Sequence, residues 1–251
     1  MCARNNFSVL IVSFFVLVSC SVKSDRSICP AYLYLSVFGG DEASLSVDIK
    51  SDGHNELTHI SKSEGMAIAG FDLKKKMKYS ITCLSGVPDG WNGIVSVGEQ
   101  MPRLYAFADS FVCYDDIMVM SIHLNKQYAR IILTVSGIEC VARVRCDVSG
   151  LDLTTLAPIS GQFCYETSPS MKSAENLQFF MDIPRQLDDS LMLELISEKD
   201  GRIIQSLPIG KEIIKNGVDW SKPSLDDIIL EIRYVDGQCD VEVQNWDKVS
   251  L

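Results

Sequence analysis

Ile228-Ile229-Leu230-Glu231-Ile232-Arg233-Tyr234-Val235-Asp236-Gly237-Gln238-Cys239-Asp240-Val241-Glu242-Val243-Gln244-Asn245-Trp246 reads as a β-hairpin. Two apolar-rich runs meet at Asp-Gly, residues that tolerate the positive φ of a type I′ turn, whose twist matches that of paired strands. In the second run Val241 and Val243 alternate with Asp240, Glu242 and Gln244, which wets one face and buries the other.

The same grammar extends upstream. Leu191 to Ile196 and Arg202 to Leu207 flank Asp200-Gly201, which predicts a second type I′ hairpin. Leu177 to Ile183, Cys140 to Val148 and Tyr128 to Ser136 are further strand-like runs, the last two separated at Ser136-Gly137. Only Ile209 to Asn216, stopped by Gly217, has the form of a short helix. Before Asn125 lies an earlier set: Ala31 to Phe38, then Leu45, Val47 and Ile49 alternating with polar residues, a turn at Ser51-Asp52-Gly53-His54, then Met77 to Leu84 and Ile117 to Leu124. Gly86 to Gly98 holds four glycines, one proline and one aspartate and is read as a long loop. Many short strands with almost no helix predict an all-β chain of two β-sandwiches, one over residues 30–125 and one over 126–251.

The chain begins differently. From Ser8 to Val18 no side chain is charged, and Arg4 is the only charged residue ahead of Cys20. At roughly 12 residues the apolar run is too short to span a bilayer but suits the core of a secretory signal. Its ending, Leu17-Val18-Ser19-Cys20, resembles the lipobox of bacterial lipoproteins. That resemblance implies a signal peptide over 1–19, lipid on Cys20 and a short polar tether over 20–29. Each buried acyl methylene is worth about 0.8 kcal/mol, so two or more chains hold firmly.

Removing 1–19 leaves 22 basic against 33 acidic side chains, a formal charge of −11. Such a balance argues against nucleic acid or an anionic membrane surface as partner. Beyond Cys2 and Cys20, Cys29, Cys83, Cys113, Cys140, Cys146, Cys164 and Cys239 remain, an odd number with no Cys-x-x-Cys spacing. On one extended strand Cys140 and Cys146 would lie about 20 Å apart, beyond disulfide reach. Buried thiols are the expectation.

Chemistry is sparse. His54, His59 and His123 do not share a local face, and Asp115-Asp116, Asp188-Asp189 and Asp226-Asp227 stand at strand entrances, where Asp serves turns. Lys74-Lys75-Lys76 reads as a solvated edge or loop. Gly210-Lys211 fails as a phosphate loop, with Gln205 where the first glycine belongs and Glu212 in place of Ser or Thr. No Gly-x-Ser-x-Gly occurs. The expectation is no enzyme, no cofactor and no metal. Trp91, Trp220 and Trp246 are the residues a glycan platform would use.

The C-terminal half carries a family likeness. Ile209-Gly210-Lys211-Glu212, Asn216 to Trp220, Leu225 to Ile228, Glu231 to Tyr234 and Val241 to Trp246, with the lipobox, Cys29-Pro30 and Val148-Ser149-Gly150-Leu151, together resemble the FimB/Mfa-like fimbrial anchoring subunits of type V, Bacteroidales-type fimbriae. The resemblance implies two tandem transthyretin-like sandwiches with Greek-key connections. It further implies a surface-exposed lipoprotein of the outer membrane that anchors a fimbria. Its partners would be shaft or accessory subunits, joined by strand complementation in which Cys239 to Leu251 supplies or supports a strand. A fimbrial tip, adhesive or glycan-binding lipoprotein on the same scaffold is the alternative.

Overall fold

The computed structural model describes residues 29–244. The expected signal peptide, Cys20, almost all of the tether and Trp246 lie outside the described residues. Strand β1 (Pro30–Phe38) turns Ala31, Leu33, Leu35 and Val37 inward, the period of two that a pleated strand imposes. It lies between β4 (Met66–Lys74), antiparallel, and β7 (Ile117–His123), parallel. The facing sheet runs in the order β3 (His54–Ser61), β2 (Ser44–Ser51), β5 (Lys78–Ser85), β6 (Tyr105–Val112) and β8 (Asn125–Lys126). Leu33, Val47, Phe71, Tyr79 and Ile81 are among the side chains of one continuous core.

A second core repeats the plan. Strand β9 (Tyr128–Ser136) lies between β13 (Asn176–Pro184), antiparallel, and β16 (Ile228–Val235), parallel; β12 (Met171–Lys172) and β17 (Gln238–Gln244) extend this sheet at either end. The other sheet runs β11 (Pro158–Thr167), β10 (Cys140–Leu151), β14 (Met192–Ser197), β15 (Ile203–Leu207). Each unit thus opens on a strand held antiparallel on one side and parallel on the other.

Turn chemistry explains the local detail. Asp236 and Gly237 both take positive φ, 51° and 82°, and Val235 pairs with Gln238, so this hairpin has its expected two-residue turn. The Asp200-Gly201 turn differs from expectation. Five residues separate β14 from β15, only Gly201 has positive φ, and the Gly201 N–H donates to Ser197 O at 3.0 Å. Ser197 N–H closes the loop on Arg202 O, so Asp-Gly serves here inside a longer turn. The helix α1 (Ile209–Lys215) ends with Gly217 at φ 95°, whose N–H binds Ile214 O while Val218 N–H binds Ile213 O. This is the paired closure of a Schellman motif. Gly210 lets α1 pack closely: a Cβ there would fall on the Asp189 carbonyl.

The loop between β5 and β6 crosses from one unit to the other. Val95, Met101 and Leu104 are buried in the second core, with Ala106 of β6. Main-chain bonds fix the crossing: Val95 N–H to Ser149 O at 2.8 Å, Leu151 N–H to Gly93 O at 2.8 Å, Gly98 N–H to Cys164 O at 2.9 Å and Met101 N–H to Asp182 O at 2.9 Å. Gly93 and Gly150 permit the approach, since a Cβ on either would collide with backbone of the other segment.

Candidate functional site

Among the described residues strand β17 forms one margin of its sheet and has a single neighbour, β16, paired from Ile229↔Gln244 to Val235↔Gln238. Cys239, Val241 and Val243 pack half-buried on the second core, while Gln238, Asp240, Glu242 and Gln244 face solvent. A strand with one partner presents a row of free main-chain donors and acceptors along its open side. Arg233 and Gln244 both reach Glu231 on β16, which keeps the solvent face of the hairpin polar. The segment assigned above to strand complementation, Cys239 to Leu251, runs through β17, and its remainder, 245–251, lies outside the described residues.

The other residues singled out in the sequence are held locally. Lys75 pairs with Asp116, Lys126 with Asp227, and Lys222 with Asp226 at 2.7 Å. The Asp188 carboxylate accepts from the Ser190 hydroxyl and from the Ser190 N–H, bonds that together hold its pKa below the usual carboxylate value. His54 approaches Glu56 at 3.6 Å, His123 stacks on Phe38 with ring centroids 5.0 Å apart, and His59 lies in a cleft beside Trp91. Among the described residues no group of three His, Cys, Asp or Glu side chains is placed to hold a metal ion. No described helix is long and apolar enough to cross a membrane. Trp91 and Trp220 line different clefts, so the structure does not gather them on one platform.

All seven described cysteines are free thiols. Burial pushes the Cys83 thiol up to about 12 and, with Glu198 nearby, the Cys140 thiol to about 11. Neither forms the thiolate that redox chemistry requires at neutral pH.

This fold is shared with solved structures of fimbrial and adhesion proteins. The fimbrial anchor protein Mfa2 from Porphyromonas gingivalis is similar over 87% of this chain and 98% of that one, with a TM-score of 0.61 and 14% identity. A protein from Bacteroides thetaiotaomicron described as a candidate polysaccharide-binding protein is similar over 86% and 96%, with a TM-score of 0.65 and 9% identity. A candidate adhesin from Bacteroides ovatus is similar over 87% and 94%, with a TM-score of 0.60 and 11% identity. No family model and no curated protein matches the sequence.

Proposed function

We propose that this chain is the lipid-anchored base of a surface fimbria, held to the outer membrane through Cys20 and joined to the shaft by strand complementation. One observation carries the reading: the likeness to a fimbrial anchor extends across both sandwiches and nearly the whole of that protein. The open side of β17 supports the joining mechanism, because an added strand gains a full ladder of main-chain hydrogen bonds there. A mechanical base needs a firm root at one end and a strand pairing at the other, and the sequence puts Cys20 and β17 at opposite ends of the chain.

Cys20→Ala tests the root. The variant is expected to leave the membrane fraction and to shed fibres from the cell; retention of both ends the reading. Removal of residues 247–251, and then of the whole β16–β17 hairpin, tests the joint by co-purification with the shaft subunit. Loss of shaft binding is expected, and unchanged binding after loss of the hairpin rules the joint out. Immunogold label at the cell surface is expected for a base, whereas label at the distal end of the fibre assigns the chain to the tip.

A further inference from the structure

The outward side of the sheet formed by β4, β1 and β7 is apolar. Strands alternate their faces, so the residues between those that fill the first core point to solvent. On this side Tyr34 lies between Gly70 and Val119, Tyr32 between Asp72 and Ile117, and Ser36 between Ile68 and Ser121. Tyr34, Ile68, Ile117 and Val119 are 49% to 71% exposed. Tyr32 leans over Gly70, where a Cβ would fall on its hydroxyl, and packs edge-on to Tyr34 with ring centroids 4.6 Å apart. These side chains form one continuous patch. The outward side of the facing sheet differs: Ser46, Asp48, Lys50, Ser80 and Thr82 occupy its central positions, and Leu57 is its one exposed large apolar residue among those described.

Isolated apolar side chains are ordinary on a protein surface, whereas a contiguous patch rimmed by polar groups marks a binding face. Its place in the chain selects what binds. Pro30, the first residue of β1, pairs with Lys74, and Cys20 stands ten positions earlier in the sequence, a span of at most about 36 Å. In the anchored form proposed above, the start of β1 is therefore held within that distance of the bilayer, and β1 is the central strand of the patch. The same end carries the rim. Lys76 N–H donates to the Cys113 carbonyl at 2.7 Å, so exposed Lys74 and Lys76 and the 70% exposed Tyr114 gather there. Tyrosine and lysine each join an apolar body to a polar tip, the combination found where hydrocarbon meets headgroups.

We propose that the outward face of β1, β4 and β7 lies on the phospholipid bilayer that holds Cys20, with Tyr34, Ile68, Ile117 and Val119 dipping into its interface and Lys74, Lys76 and Tyr114 at headgroup level. The inference rests on the anchoring reading. Apolar insertion rather than charge drives the contact, since Asp72 lies within the patch and Lys75 is matched by Asp116. The acidic balance of the chain therefore does not oppose it, and salt leaves it unchanged. Lipid on Cys20 makes insertion an intramolecular event, so a patch too small to hold the protein from solution is occupied once the chain is tethered. Cys20→Ala, lacking the tether, still leaves the membrane fraction.

Protein extracted from the membrane fraction and reconstituted in phosphatidylcholine vesicles tests the contact, with and without bromine on the lipid acyl chains as a short-range quencher of tryptophan. Val119→Trp and Ile68→Trp place a reporter in the patch, and Leu57→Trp, comparably exposed on the facing sheet, is the control. Each is read as the emission it adds to that of the parent. The emission added by Val119→Trp and by Ile68→Trp is expected to shift to the blue in vesicles and to be lost in brominated lipid, whereas that added by Leu57→Trp is expected to stay. Flotation on a density gradient checks the anchor separately. A chain that floats while its Val119→Trp signal ignores bromine overturns the contact and leaves the anchor standing; a chain that does not float overturns both. Equal quenching of Leu57→Trp and Val119→Trp overturns the choice of face. A dimer in detergent that Val119→Asp dissociates, with no quenching in vesicles, overturns the contact and gives the face to a second copy.

Discussion

Asp182, on β13 and 4% exposed, accepts from Arg130 Nε at 2.8 Å and Nη2 at 3.1 Å, and from Arg103 Nε at 3.0 Å. Its main-chain N–H and C=O hold Gln100 and Met101, so with the Arg103 bond one residue ties the crossing loop to the second sheet in three ways. Removing one partner of a buried pair strands the other, at a cost of about 3 kcal/mol. Asp182→Ala is therefore expected to lower stability by that order in urea unfolding, and Arg103→Ala, whose side chain is largely exposed, by under about 1 kcal/mol. The turn at Asp152 adds a pH dependence. Its carboxylate accepts from Thr155 N–H at 2.7 Å, Thr155 Oγ1 at 2.9 Å and Thr154 N–H at 2.9 Å, bonds that lower its pKa below the usual value of 3.8. A carboxyl lowered on folding stabilises fully above its unfolded value and loses that contribution as pH falls through its folded one. Asp152→Asn is thus expected to narrow the fall in urea midpoint between pH 5 and pH 2 relative to the parent, and parallel curves would contradict this account.

The crossing loop was legible in sequence as a loop and illegible as a core element. Its glycines announced irregular backbone, whereas Val95, Met101 and Leu104 are too widely spaced for either periodicity, and nothing local says which core they fill. Closure depends on Gly93 facing Gly150. Gly150→Ala would drive a methyl into the Gly93 carbonyl, where the obstacle is backbone and cannot rotate away. Overpacking of this kind costs about 1–3 kcal/mol, and amide exchange is expected to quicken selectively at Val95 and Leu151, whose N–H groups make the clasp. Strands followed the same logic. Central runs such as β9 and β10 were legible because each shows inward apolar residues at every second position. The strands that periodicity missed, β3, β4 and β11, lie at sheet margins, and β6 mixes Ala, Asp and Ser into its run. Margins place less surface in the core, so they carry a weaker pattern. The parallel pairs β1–β7 and β9–β16 join strands far apart in sequence, which no short-range turn signal encodes. The outward patch at Tyr34, Ile68 and Val119 was illegible for a similar reason: its three strands come together only through tertiary structure.

At the scale of the whole molecule, the second sandwich is incomplete within residues 126–251. Val95, Met101 and Leu104 enter its core from the preceding half, each 4% exposed or less. Fully burying a side chain of this size stabilises by about 1.5–3 kcal/mol, so the three together contribute on the order of 5–9 kcal/mol. That is comparable with the entire stability of an ordinary domain, roughly 5–15 kcal/mol. The isolated fragment 126–251 would also expose the apolar surface these side chains cover, and it would lose the Arg103 bond to Asp182. The two sandwiches should then unfold as one unit in the full chain, because loss of the first withdraws part of the second core. The full chain is expected to show a single calorimetric transition, and fragment 126–251 no cooperative transition, or one far below that of the full chain. A fragment that melts sharply at the full chain's temperature would show the second core to be self-sufficient. In the anchoring role proposed above, such coupling would make force entering at β17 and leaving through residue 29 break the whole molecule rather than its weaker half.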